Sequence, residues 1–150
     1  MSAHLQRAVV LVDQSRFEDA VGELHLHLGQ HTDDAIGHAL LSRCFLEMEK
    51  FDEATEHAQQ AIASNPEEAI GHETLARVML KRNRYREARE SSDEALQLAP
   101  YDPDLFGLLS VWHFSKRNWS DALAAANQGL ELDPEDNMCL NLRSQALVML

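Results

Sequence analysis

The side chains with chemistry to offer are histidines, arginines and two cysteines. His27 and His31 stand one helical turn apart with His25 nearby, the spacing that two metal ligands on one helix face would need. No His-Glu-x-x-His motif or Cys-His cluster accompanies them, so no metal is expected. His4 and His57 read as surface residues, and His38, His72 and His113 as packing residues. Cys44 and Cys139 lie far apart and outside any Cys-x-x-Cys arrangement. They form neither a disulfide framework nor a zinc-binding set, and they suit a reducing cytoplasm. A phosphate-cradling glycine loop and a Gly-x-Ser-x-Gly turn are both missing, so neither an enzyme nor a cofactor is expected. Arg43 and Arg77 remain, as cations suited to holding a carboxylate.

Composition narrows the elements that position these groups. The chain has 150 residues, 45% of them apolar, with six glycines and four prolines, which favours one folded domain built from helices. Thirteen Lys and Arg stand against 25 Asp and Glu, a formal charge of −12 that repels phosphate backbones and anionic lipid. Nucleic acid is therefore not the expected partner. The first residues lack the basic start and long apolar run of a signal peptide, and no stretch reaches the roughly 18 apolar residues of a membrane span. No membrane insertion is expected.

Self-similarity is the strongest signal. Pro66, Pro100 and Pro134 are spaced by 34 residues. On the same period fall Ala20, Ala54, Ala88 and Ala122, and three residues before each stands an aromatic: Phe17, Phe51, Tyr85 and Trp119. Leu41, Leu75 and Leu109 recur likewise, each followed by a small residue (Ser42, Ala76, Ser110), and Ala61, Ala95 and Gly129 form a further small column. The helical apolar pattern breaks near Gln14-Ser15-Arg16, Glu49-Lys50, Arg82-Asn83-Arg84 and Lys116-Arg117-Asn118, then resumes. Each unit therefore reads as helix, short turn, helix. Acidic residues open the second helix, where they complement its positive end, and Pro closes the unit.

These columns resemble the tetratricopeptide repeat pattern over residues 1–136, in units 1–34, 35–68, 69–102 and 103–136, with 137–150 similar to the first helix of a fifth. The first unit departs from it, with Arg7 in the Leu column and Thr32 in place of Pro. The bulky column usually held by Trp carries His38, His72 and Phe106, and the aromatic column of the first helix carries Phe45, Met79 and His113. The resemblance implies an all-α, right-handed α-solenoid of about four hairpins plus a C-terminal helix, forming a single domain. Its concave groove would bind a protein or peptide.

In that resemblance, ligand contacts come from the first helix of each unit. One column reads Val9, Arg43, Arg77, Val111 and Gln145, a second Val12, Leu46, Leu80, Phe114 and Val148, and a third Leu5, Ala39, Glu73, Gly107 and Asn141. The expected partner-binding residues are Arg43, Arg77, Leu46, Leu80, Phe114, Val111, Asn141 and Gln145. Two arginines at equivalent places in adjacent units would hold a carboxylate of the bound segment, each bond contributing about 1.5–3 kcal/mol. The competing use is pairing along their own helices, Arg43 with Glu47 and Arg77 with Glu73, at a few tenths of a kcal/mol. Part of the apolar column has a competing use too, as ordinary packing between helices. Heat-shock co-chaperones of this family grip a terminal carboxylate with Lys, Asn and Arg over three units. The corresponding places hold Leu5, Val9, Leu40, Ile70 and Thr74, or Ala39, Arg43, Thr74, Asp104 and Leu108, so that clamp is not expected.

Residues 138–150 read as an apolar helix without a covering partner. Three functions follow: a free-standing adaptor, the N-terminal recognition or regulatory arm of a larger protein with its chemistry beyond residue 150, or a self-assembling scaffold. The third predicts a homodimer through the C-terminal helix, with Leu140, Leu147 and Leu150 at the interface.

Overall fold

The computed structural model describes all 150 residues as nine helices with no strand. They are α1 (Ala3–Asp13), α2 (Phe17–Gln30), α3 (Ala35–Glu47), α4 (Phe51–Ser64), α5 (Ala69–Lys81), α6 (Tyr85–Leu98), α7 (Pro103–Ser115), α8 (Trp119–Leu132) and α9 (Asn137–Met149). Four hairpins, each 34 residues after the last, stack into an α-solenoid that α9 closes. The repeating columns become repeating joints. Each aromatic of the 17, 51, 85 and 119 column is the first residue of a second helix, and each alanine three residues on is fully buried.

The two helices of a hairpin approach closely because small residues face each other. Ser42 Oγ donates to the carbonyl of Ala54 at 2.6 Å, and Ser110 Oγ repeats the bond to Ala122 at 2.8 Å. Both hydroxyls are buried, and the bond satisfies each at no steric cost. The stack tightens similarly at Gly129, where a Cβ would run into Cys139 Sγ of α9.

Each hairpin turn is built the same way. Ser15, Glu49, Asn83 and Arg117 adopt left-handed backbone, with φ of 57–59°. In the first turn, the Arg16 N–H reaches the Leu11 carbonyl at 2.8 Å and the Ser15 N–H reaches Val12 at 2.9 Å. The other three turns repeat this doubled bond, the Schellman closure of a helix C-terminus. Four of the five first helices start on side-chain caps, Ser2, Asp34, Asp102 and Asp136 each accepting a backbone N–H, whereas Glu68 at the start of α5 makes no such bond.

Contacts between units fix the curvature. Successive first helices touch, α1 to α3 and onward to α9, whereas no second helix touches the next second helix. The first helices therefore line the inner curve, and any groove belongs to α3, α5 and α7.

The first unit is joined by polar groups. In place of the inner units' Leu, the Arg7 Nε lies 3.2 Å from Glu23 Oε2, an oxygen that His4 Nδ1 also meets at 2.6 Å. His4, expected at the surface, is half-buried in this cluster, because the carboxylate of α2 draws its ring inward.

Candidate partner-binding groove

A groove of about 430 Å³ opens on the inner curve. Arg43, Leu46 and Glu47 of α3, Arg77, Leu80 and Lys81 of α5, and Leu108 and Val111 of α7 line it, with Met138 of α9 overhanging one end. Periodicity explains this convergence. Residues 34 apart occupy the same face of successive first helices, so a column read along the sequence becomes a row across the groove. Arg43, Arg77, Leu46, Leu80 and Val111 of the expected set meet here.

The other expected residues lie elsewhere. Phe114 is half-buried with its ring centroid 5.4 Å from that of Trp119, so it serves the joint between α7 and α8. Asn141 and Gln145 are exposed on α9 outside the lining. Leu46, expected as an exposed anchor, is only 9% exposed and belongs to the core, so it presents an edge to the groove. In the third column, Leu5, Ala39 and Gly107 are buried packing residues. Column reasoning missed Met138 because it ignored overlap between units: a Cβ at Gly107 would touch the Met138 side chain, so α9's first turn lies directly over α7.

The two arginines differ. The Arg77 Nη2 and Nε donate to Glu73 Oε1 at 2.8 and 3.1 Å, the pairing along its own helix. Arg43 makes no such bond to Glu47 and no ion pair, and it is exposed. Arg7, Arg16, Arg77, Arg82, Arg84, Arg86 and Arg89 all have carboxylate partners. In a chain where acids outnumber bases almost two to one, the unpaired Arg43 and Lys81 share one groove whose lining holds a single carboxylate, Glu47. Lys116 adds positive charge at the edge, its Nζ 4.9 Å from the Tyr85 ring. At the start of α7, burial first and then the neighbouring Asp102 push the Asp104 pKa up, while Arg77 and Arg43 oppose them.

The histidine pair with ligand spacing has another use. His27 is 4% exposed, its Nδ1 lies 2.6 Å from Ser2 Oγ, and its Nε2 lies 2.7 Å from Asp34 Oδ2. It therefore ties together the caps of α1 and α3, with both ring nitrogens engaged, while the His31 ring lies tilted against it with centroids 4.9 Å apart. His57, expected at the surface, is half-buried and stacks between His38 and Phe45, both centroids 5.5 Å away. Its place on α4 faces the aromatic side of α3, so apolar contact outweighs exposure. On α9, Leu140 is half-buried and Leu147 and Leu150 are exposed.

A sequence model of the tetratricopeptide repeat family matches residues 40–103. No curated protein matches the sequence. Solved structures share the fold. One is Pseudomonas aeruginosa PilF, with a TM-score of 0.84 at 22% identity over 97% of this chain and 67% of that one. A chain of the APC/C hetero-tetramer Cut9-Hcn1 superposes with a TM-score of 0.82 at 17% identity, over 96% of this chain but only 29% of its own length. MamA from Desulfovibrio magneticus RS-1, residue 41 to its end, gives 0.69 at 15% identity over 97% and 88% of the two chains.

Proposed function

From the premise that this chain is a tetratricopeptide repeat protein, we propose that its concave groove binds a peptide or helical segment of a partner protein. The fold is in general a scaffold for protein interaction, and no helix here is long and apolar enough to cross a membrane. The observation that carries the groove reading is Arg43: an exposed guanidinium without a carboxylate, beside an apolar floor of Leu80, Leu108 and Val111. A segment offering an apolar side chain to that floor and a carboxylate to Arg43 and Lys81 satisfies both halves. Arg77, already held by Glu73, orients the rim and gives up less on binding.

The test is to select peptides from a displayed library against the whole chain and measure their affinity for variants. Peptides that use the groove bind Arg43→Glu at least about tenfold more weakly, the loss of one charge-assisted bond, and bind Leu80→Glu more weakly too, because a carboxylate replaces part of the apolar floor. The same peptides bind Arg86→Glu, altered on α6, unchanged. Selected peptides indifferent to Leu80→Glu and Arg43→Glu would overturn the reading.

A second reading rests on α9, where Leu147, Val148, Met149 and Leu150 are all exposed. On this reading a second copy covers them, forming a homodimer through Leu140, Leu147 and Leu150. Light-scattering mass over a dilution series decides it. A dimer that Leu140→Glu with Leu147→Glu converts to monomer supports it, and a monomer at every concentration removes it.

A further inference from the structure

The hairpin turns occupy equivalent places in every unit, yet they carry opposite charge in the two halves of the stack. Residues 13–19 and 47–53 hold seven Asp and Glu against Arg16 and Lys50. The equivalent residues 81–87 and 115–121 hold Lys81, Arg82, Arg84, Arg86, Lys116 and Arg117 against Glu87 and Asp121 alone. In a chain of formal charge −12, this is a local excess of the rarer sign. Pairing narrows it to three residues. Arg82 lies 3.4 Å from Asp52, and Arg84 and Arg86 pair with Glu87 and Glu90. Lys81, Lys116 and Arg117 are exposed and have no carboxylate partner.

These free cations stand at the mouth of the groove. Lys81 lines it together with Asn83 and Tyr85 of the third turn and Ser115, the residue before Lys116. Two contacts hold the fourth turn against the third: Trp112 Nε1 donates to the Tyr85 carbonyl at 2.7 Å, and Lys116 Nζ lies 4.9 Å from the Tyr85 ring. An aromatic face attracts the ammonium without neutralising its charge. Arg43 and Lys81 inside the groove and Lys116 and Arg117 outside it thus form one positive track, which starts at the apolar floor and leaves over the third and fourth turns. On the side of the second turn, Glu47 and Glu49 with Asp52 and Glu53 oppose such a path.

We propose that the segment bound in the groove is bipartite: an apolar side chain on the floor of Leu80, Leu108 and Val111, and a run of Asp or Glu that leaves across the third and fourth turns over Lys81, Lys116 and Arg117. Such a segment presupposes the groove reading and adds to it the charge of the partner and the side on which that charge lies. Charge complementarity of this kind fixes register and speeds encounter. A short segment covers the positive track alone, whereas a nucleic acid or an anionic membrane surface is broad enough to meet the acids of the first two turns as well. An acidic protein segment is therefore the occupant that the charges fit.

The test displays a library in which an apolar core is flanked on each side by positions drawn from Asp, Glu, Asn, Gln and Lys, and selects it against the whole chain. Recovered peptides carry Asp or Glu on one flank and not on the other. In fluorescence anisotropy, a recovered peptide binds at least about fivefold more weakly to the double variant Lys116→Glu with Arg117→Asn, Asn being suited to the left-handed backbone at 117. Arg86→Glu, whose cation already pairs with Glu90, leaves the affinity unchanged. A readout on the wild-type chain needs no variant: raising the ionic strength from about 0.05 to about 0.5 M weakens the acidic peptide at least about fivefold and its Asn and Gln version less than about twofold. Peptides that lose affinity on Leu80→Glu but carry no acidic flank, or ignore the change at 116 and 117, would overturn the acidic track and leave the groove reading standing. Peptides indifferent to Leu80→Glu would overturn both. Phosphatidylserine vesicles or single-stranded DNA that bind more tightly than any recovered peptide, and lose that binding in the same double variant, would also overturn the proposal.

Discussion

The first hairpin and the second use the same column for opposite chemistry. Leu41 in the second is wholly buried beside Ser42 and Ala54, where volume and a satisfied hydroxyl decide the fit. Arg7, its counterpart in the first, keeps a side chain 55% exposed and reaches Glu23, with His4 on the same oxygen. Around the first joint, Ser2, His27 and Asp34 form a further polar chain. A column position thus dictates where a side chain lies, while the solvent around it dictates what it must be. α3 is enclosed by four neighbouring helices, α1, α2, α4 and α5, so a charge at its centre would lose hydration; α1 touches only α2 and α3, so a charge there keeps its water.

The largest expected effect separates the two joints directly. Leu41→Ala removes a fully buried side chain and leaves a cavity, costing about 2–5 kcal/mol. Arg7→Leu breaks an exposed ion pair and restores the inner units' residue, changing stability by less than about 1 kcal/mol in either direction. Urea unfolding followed by helical circular dichroism measures both. Equal losses in the two variants would mean that the first joint is as packed as the second.

Acid separates the regions next. In the inner units, burial first holds the pKa values of His57 and His113 below the ordinary imidazole value, and the buried Nδ1 of His113 has no partner. As pH falls, the unfolded chain takes up these protons before the folded one does. The histidine contribution is therefore complete above the unfolded pKa of about 6.5 and is lost as pH falls toward the lower folded values. In the first unit, the hydrogen bond from His4, with help from Arg7, holds Glu23 below the ordinary carboxylate value. Its contribution is present above the unfolded pKa of about 4.3 and is lost only as pH falls below that, through the folded value. Melts between pH 7.5 and pH 5 should show a falling Tm that His113→Phe flattens and Glu23→Gln does not. A Glu23→Gln variant that flattens this range instead would place the acid-sensitive joint in the first unit.

Much of this architecture is legible from spacing. The breaks read at Ser15, Glu49, Asn83 and Arg117 are the turns observed, and five of the eight expected partner-binding residues meet in one groove. What spacing does not carry is the third dimension of each helix. Leu46 and Leu80 share a column, yet Leu46 sinks into the core and Leu80 stays half-buried. Glu lies four residues after Arg43 and four before Arg77, but only Arg77 pairs. A Glu placed N-terminal to its cation is the better-oriented partner on a helix, a rule that distinguishes the two arginines from the residues alone. The stacking of His57 on Phe45 crosses from α4 to α3 and has no signature along either helix.

The smallest effect probes what the two regions share. Every hairpin turn needs a left-handed residue, yet none of the four is glycine. Left-handed backbone costs an L-residue roughly 1–2 kcal/mol relative to its favoured regions, less for Asn, which bonds locally. Glycine pays little of that, though it gives back part through the greater freedom of the unfolded chain. Glu49→Gly and Ser15→Gly should therefore each stabilise the fold by about 0.5–1 kcal/mol, and Asn83→Gly by less. The gain should be equal in the first and second hairpins, since the doubled backbone bonds are the same at Arg16 and at Lys50. A gain at Glu49 without one at Ser15, read from the shift in urea midpoint, would show that the polar first joint opens before its turn does, so that relieving the turn there adds nothing to global stability.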